Sequence, residues 1–142
     1  RCEEYQNKNT KGRMMRMAKR IFISFAMEDK HLRDFLVGQA RNEKSPFEFV
    51  DMSVKQPWDS QWKTNCRRKI KGCDGVIAIV TKNTKKADGQ LWEVKCAKEE
   101  LISIRGIWGN KDDHPASLPP EFSGVRVVNW TWDNIANWID TL

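Results

Sequence analysis

Five consecutive apolar residues, Val76-Ile77-Ala78-Ile79-Val80, constrain the fold of this chain more than any other feature. A strand with one wet face alternates apolar and polar side chains, whereas a strand apolar at every position has to be covered on both faces. Such cover comes from helices packed on either side of a parallel sheet. The remaining sequence supplies alternating material of the right kind. Ile21-Phe22-Ile23-Ser24-Phe25 reads as a first strand, and Leu32, Phe35, Leu36 and Ala40 then recur at helical spacing. Phe47-Glu48-Phe49-Val50 is a short second strand, followed by a loop from Asp51 to about Ser60. Trp62, Cys66, Ile70 and Cys73 mark one face of a second helix.

After the central strand, the spacing predicts a helix from about Gly89 to Glu100, with Asp88 as N-cap and Val94, Ala97 and Leu101 facing the core. Ile102 to Trp108 is a fourth strand. The stretch from Gly109 to Gly124, rich in Asp, Pro, Gly and Ser, reads as loop with one helical turn. Val125 to Trp130 is a fifth strand, and Thr131 caps a last helix carrying Ile135, Trp138, Ile139 and Leu142. Five strands alternating with helices predict a flavodoxin-like, doubly wound fold: a five-stranded parallel sheet with helices on both faces. In such open sheets ligands bind outside the carboxyl ends of the strands.

The 142 residues carry a net charge of +6, which raises the question of nucleic acid. Residues 1–20 hold seven Lys or Arg against Glu3 and Glu4, a contribution of +5, so the rest of the chain is close to neutral. We therefore divide the chain into a basic, flexible extension over 1–18, of which residues 1–16 are expected to be dispensable for folding, and a domain over 19–142. Met17-Ala18-Lys19-Arg20 reads like a natural start. Nucleic acid ranks last among partners, and the Arg67-Arg68-Lys69 run reads as solvated helix surface. No apolar run approaches the roughly 20 residues of a membrane span, and no leader-like apolar stretch opens the chain, so a cytoplasmic location is expected. Cys2, Cys66, Cys73 and Cys96 form no CxxC pair, and His31 and His114 lie far from them in sequence, so no metal site is expected.

The strand ends concentrate hydroxyls, carboxylates and rings: Ser24-Phe25 after the first, Asp51-Met52-Ser53 and Pro57-Trp58 after the second, Trp92-Glu93 at the helix after the third. Neither GxGxxG nor GxxxxGK[ST] occurs, so a nucleotide would be held by other means. The first strand before an acidic helix start resembles the opening of TIR domains. Asp51-Met52-Ser53, Pro57-Trp58 and Trp92-Glu93-Val94 resemble the TIR-like proteins of the bacterial Thoeris anti-phage system. The resemblance covers residues 19–142 and departs from the commoner TIR pattern in that Trp92 abuts Glu93 directly.

The resemblance implies that Glu93 is catalytic and that NAD+ is the substrate, with no separate cofactor. It implies cleavage to nicotinamide and an ADP-ribose product, linear or cyclised, that activates a downstream effector, and assembly of copies into a homo-oligomer. Ser24, Phe25, Asp51, Ser53, Trp58 and Trp92 are the candidate substrate-binding residues. The chemistry agrees: breaking an N-glycosidic bond builds positive charge on the ribose that a carboxylate stabilises. Residue by residue, blander roles compete: Trp92 as a core anchor, Asp51 as a turn cap, and Trp108, Trp130, Trp132 and Trp138 as structural rings. Two rival functions stand beside the NAD+ nucleosidase: a catalytically silent TIR-like interaction module, and another N-glycosidic enzyme such as a nucleoside deoxyribosyltransferase.

Overall fold

Side chains of the strands alternate between two helix layers with the period of two that a pleated strand imposes. The computed structural model describes residues 18–142; the expected basic arm lies outside the described residues except for Ala18. Strands β1 (Arg20–Ser24), β2 (Glu48–Val50), β3 (Gly75–Val80), β4 (Ser103–Trp108) and β5 (Arg126–Val128) form one sheet in the order β2-β1-β3-β4-β5. Every pairing is parallel. This is the doubly wound order expected, with the strand sequence reversing between β1 and β3.

Ile21, Ile23, Ile77, Ile79 and Ile107 point to one face, where helices α1 (Lys30–Asn42) and α4 (Trp132–Ile139) supply Leu36, Ile135, Trp138 and Ile139. Phe22 and Val76 point to the other, where α2 (Ser60–Lys71) supplies Trp62, Cys66 and Ile70, and α3 (Asp88–Glu99) supplies Cys96 and Ala97. All six residues of β3 are buried, as a strand covered on both faces requires. Fully burying one such Ile or Phe stabilises the fold by about 1.5–3 kcal/mol. No helix links β4 to β5. The connection closes over Ala78, Val80 and Val94 through Phe122, which sits on a single 3-10 turn, Pro120–Phe122.

Local chemistry accounts for the helix ends. The Asp59 side chain accepts from the Trp62 amide and starts α2, and Thr131 accepts from the Asn134 amide and starts α4. Asp88 is not the cap predicted for α3: it is the first helical residue, Ala87 holds the cap position, and no side chain bonds the first turn there. Leu101 does not face the core. It lies beyond the end of α3 with φ of 58° and is 92% exposed, a left-handed residue that reverses the chain into β4. Phe35 is likewise outside the core, 65% exposed and edge-on to Trp130. Strand β5 ends at Val128, earlier than the expected Trp130, whose indole turns aside to donate to Gln39 Oε1.

Candidate active site

Ser24 closes β1 with its hydroxyl aimed at α3, and there Ser24 Oγ donates to Glu93 Oε1 at 2.8 Å. The other carboxylate oxygen, Glu93 Oε2, accepts from Lys55 Nζ at 2.7 Å. Lys55 comes from the loop between β2 and α2, so β1, that loop and α3 meet at the carboxyl edge of the sheet. The pair is buried: the Glu93 side chain is 0% exposed and that of Lys55 5%. Val94 and Ala97 face the core as the spacing predicts, and Glu93 shares that buried face of α3 with them.

The Lys55 ammonium also lies 4.2 Å from the centroid of the Phe25 ring, a cation held between a carboxylate and an aromatic face. Its aliphatic stem lies on Gly89, where a Cβ would sit 2.8 Å from Lys55 Cβ, so any larger residue there collides with the lysine. Burial pushes the Glu93 carboxyl up from 4.5 to about 7. The Lys55 ammonium and the Ser24 hydroxyl pull the other way, and Asp51 adds a small upward push.

Gln90, one turn before Glu93, is fully buried. Its Nε2 donates to Ile79 O at 2.8 Å and Ser24 O at 3.1 Å, which fixes the amide orientation between β1 and β3. Oε1 is then left with no donor among the described residues. An unmet buried acceptor costs about 1–3 kcal/mol, an expense a ligand's N–H or O–H would remove. Beside it, Thr81 Oγ1 donates to Asp29 at 2.5 Å and Asn83 Nδ2 donates to the same carboxylate at 2.9 Å, tying the ends of β1 and β3 together at the point where strand order reverses.

A cavity of about 230 Å³ opens over this cluster, walled by Phe25, Lys55, Pro57, Trp58, Gly89 and Gln90 among others. The sequence candidates divide accordingly. Phe25 and Trp58 stand on the wall, Phe25 buried and Trp58 76% exposed. Ser24 and Glu93 do not line it: both are fully buried, hydrogen-bonded to each other behind Lys55 and Gln90. Trp92 packs edge-on against Trp62, with ring centroids 5.4 Å apart, and faces a neighbouring concavity. Asp51 is engaged by Arg33 Nε at 2.7 Å, and Ser53 is exposed on the loop; neither lines the cavity. Lys55 and Gln90 were missed. Their signals were position alone: Lys55 in the loop at the carboxyl edge, Gln90 one helical turn from Glu93.

Besides the neighbouring concavity, of about 380 Å³, others lie elsewhere, one of about 710 Å³ between α1 and the ends of β4 and β5, one of about 650 Å³ between α2 and α3. Neither reaches Glu93. No three His, Cys, Asp or Glu side chains gather as a metal site among the described residues. No helix among them is long and apolar enough to cross a membrane.

Superposition on solved structures places the chain beside the TIR domain of the Toll-related receptor TRR-2 from Hydra magnipapillata. The TM-score is 0.61 over 84% of this chain and 97% of that one, at 18% identity. The fold is that of a TIR domain. No family model matches the sequence, and no curated protein matches it. The TIR-like fold thus rests on backbone geometry, and the chemistry of the site rests on its own residues.

Proposed function

We propose that this TIR-like domain cleaves the nicotinamide–ribose bond of NAD+, with Glu93 as the catalytic carboxylate. The observation that carries the reading is the buried carboxylate gripping a cation against the Phe25 ring at the carboxyl edge of the sheet. The reactive end of NAD+ is also a cation: a pyridinium on a ribose that gains oxocarbenium character as the bond breaks. Lys55 occupies the place such a group would take. On binding, the lysine gives way, the pyridinium stacks on Phe25, and Glu93 faces the ribose. Gln90 Oε1 receives an N–H of the carboxamide or a ribose hydroxyl.

The C1′–N bond then breaks with its electron pair leaving on the nicotinamide nitrogen, which becomes neutral and needs no general acid. Water, or the adenine of the same molecule, supplies the electron pair that closes on C1′, giving linear or cyclised ADP-ribose. The attacking water loses its proton to solvent or to Glu93, whose raised pKa suits it to accept one near neutrality. Exchanging a lysine for the substrate's own charge keeps the buried carboxylate paired throughout. In keeping with the resemblance of its motifs to Thoeris TIR-like proteins, we place the product as a signal to an effector in bacterial antiviral defence, released in the cytoplasm.

A silent interaction module is the competing reading, favoured by the same closure of Lys55 over Glu93. Chromatography of NAD+ incubated with the protein separates the two. Free nicotinamide is expected, reduced at least 100-fold in folded Glu93→Gln, a loss of about 2.7 kcal/mol of transition-state stabilisation. Equal release by wild type and Glu93→Gln would overturn the assignment of Glu93.

A further inference from the structure

The concavity over Glu93 does not stand alone, and helix α3 is the wall that joins it to two others. The first, about 230 Å³, ends at Pro57, Trp58 and Asp88. A second, about 380 Å³, shares those three residues and continues past Leu91 and Trp92 to Lys95. The third, about 650 Å³, shares Trp92 and Lys95 with the second and runs on between α2 and α3, past Lys63, Arg67 and Lys71 to Glu99. The three concavities therefore follow one another along α3, from the cavity beside Lys55 and Gln90 to a groove lined by Lys63, Arg67, Lys71 and Lys95.

The first concavity is too small for a dinucleotide, so a ligand pinned at Glu93 by its nicotinamide riboside has to lay its other half along the trough. From Gln90 to Lys95 the helix rises about 7.5 Å, the reach of one further nucleotide. The second concavity carries two carboxylates, Asp88 and Glu121, beside the rings of Trp58 and Trp92. Carboxylates and rings suit an adenosine, with its amino group and hydroxyls.

Charge reverses at the far end. Arg67 is satisfied internally by Glu99 and Glu100 and covers the Trp92 ring at 5.5 Å. Lys95 feels Glu99 one turn on, and Lys63 and Lys71 make no ion pair among the described residues. An adenosine bearing a phosphate monoester would gain charge-assisted hydrogen bonds there, stronger than those open to plain hydroxyls. We propose that this site takes a nicotinamide dinucleotide with an extra phosphate on its adenosine half, selected by Lys95 and Lys63. The proposal rests on Glu93 marking the nicotinamide end.

Binding tests this separately from turnover. In full-length Glu93→Gln, titration of tryptophan fluorescence at low salt with NADP+ and with NAD+ should show NADP+ bound at least 10-fold tighter. The preference should shrink as salt is raised. Adding Lys95→Glu and Lys63→Glu should erase it, while Lys30→Glu, on the opposite helix layer, should leave it intact; Lys95 is exposed, so its charge reversal leaves the fold in place, which a melting curve verifies. Equal affinities, no measurable binding of either dinucleotide, or a preference that survives the double charge reversal would overturn the proposal. If NADP+ binds preferentially and wild type cleaves neither dinucleotide, the selection by Lys95 and Lys63 stands and the catalytic reading of Glu93 falls.

Discussion

Replacing Glu93 by Gln changes how stability depends on pH, and the size of the change follows from burial. In the unfolded chain the carboxyl titrates near 4.5; in the folded protein burial holds it up at about 7. A carboxyl raised in this way contributes stability that is fully present below 4.5. As pH rises from there, the unfolded chain ionises while the folded one keeps its proton, and the contribution is lost by the time pH passes about 7. A gap of that width corresponds to about 3 kcal/mol. Gln has no proton to lose and fills nearly the same space, so its variant lacks this slope. Urea unfolding of both proteins at intervals from pH 4 to pH 8 isolates the term, because every other group cancels in the difference. Relative to Glu93→Gln, wild type should lose about 3 kcal/mol across that window. Parallel profiles would refute the argument. A wild type that gains on the variant with rising pH would show that the Lys55 pair outweighs burial and holds the carboxyl below its ordinary value.

Other consequences of the site and its frame are open to measurement. Lys55→Met removes the cation that opposes burial, so the Glu93 carboxyl should climb above about 7 and the acid limb of the pH–rate profile should move up with it. Gly89→Ala places a methyl 2.8 Å from Lys55 Cβ and should expel the lysine, seen as faster limited trypsin cleavage after Lys55 in an otherwise folded protein. Trp58→Ala, at the mouth of the cavity, should weaken use of NAD+ by about 1–3 kcal/mol, read from kcat/KM, with melting unchanged. Gly106→Ala drives a Cβ to 2.7 Å from Val127 Cγ2 between β4 and β5 and should cost about 1–3 kcal/mol in urea unfolding.

The layered fold was legible because β1 and β3 are written in β-branched and apolar residues, and burial on both faces leaves no polar position inside β3. Glu93 was legible as a residue and its burial was not. The face of α3 that meets the sheet contains Gln90 and Glu93 beside Val94 and Ala97, so two polar side chains break its apolar stripe. Lys55 escaped notice for a related reason. A loop lysine is ordinarily solvated, and what buries this one is three contacts distant in sequence, with Phe25, Gly89 and Glu93. Phe35 and Leu101 fit the helical spacing and still lie outside the core, one on the open side of α1 and one past the end of α3. Periodicity reports a face without reporting what covers it.

The two rims of the sheet, β2 and β5, are each three residues long, against six for β3 and β4. An unpaired strand edge is a template for another chain's backbone, and its hazard grows with its length. Three residues offer an incoming strand too few hydrogen bonds to hold it, so copies of this domain are poorly disposed to aggregate by sheet extension. Self-association then has to use side chains on helices and loops, surfaces whose contacts are reversible and sensitive to single substitutions.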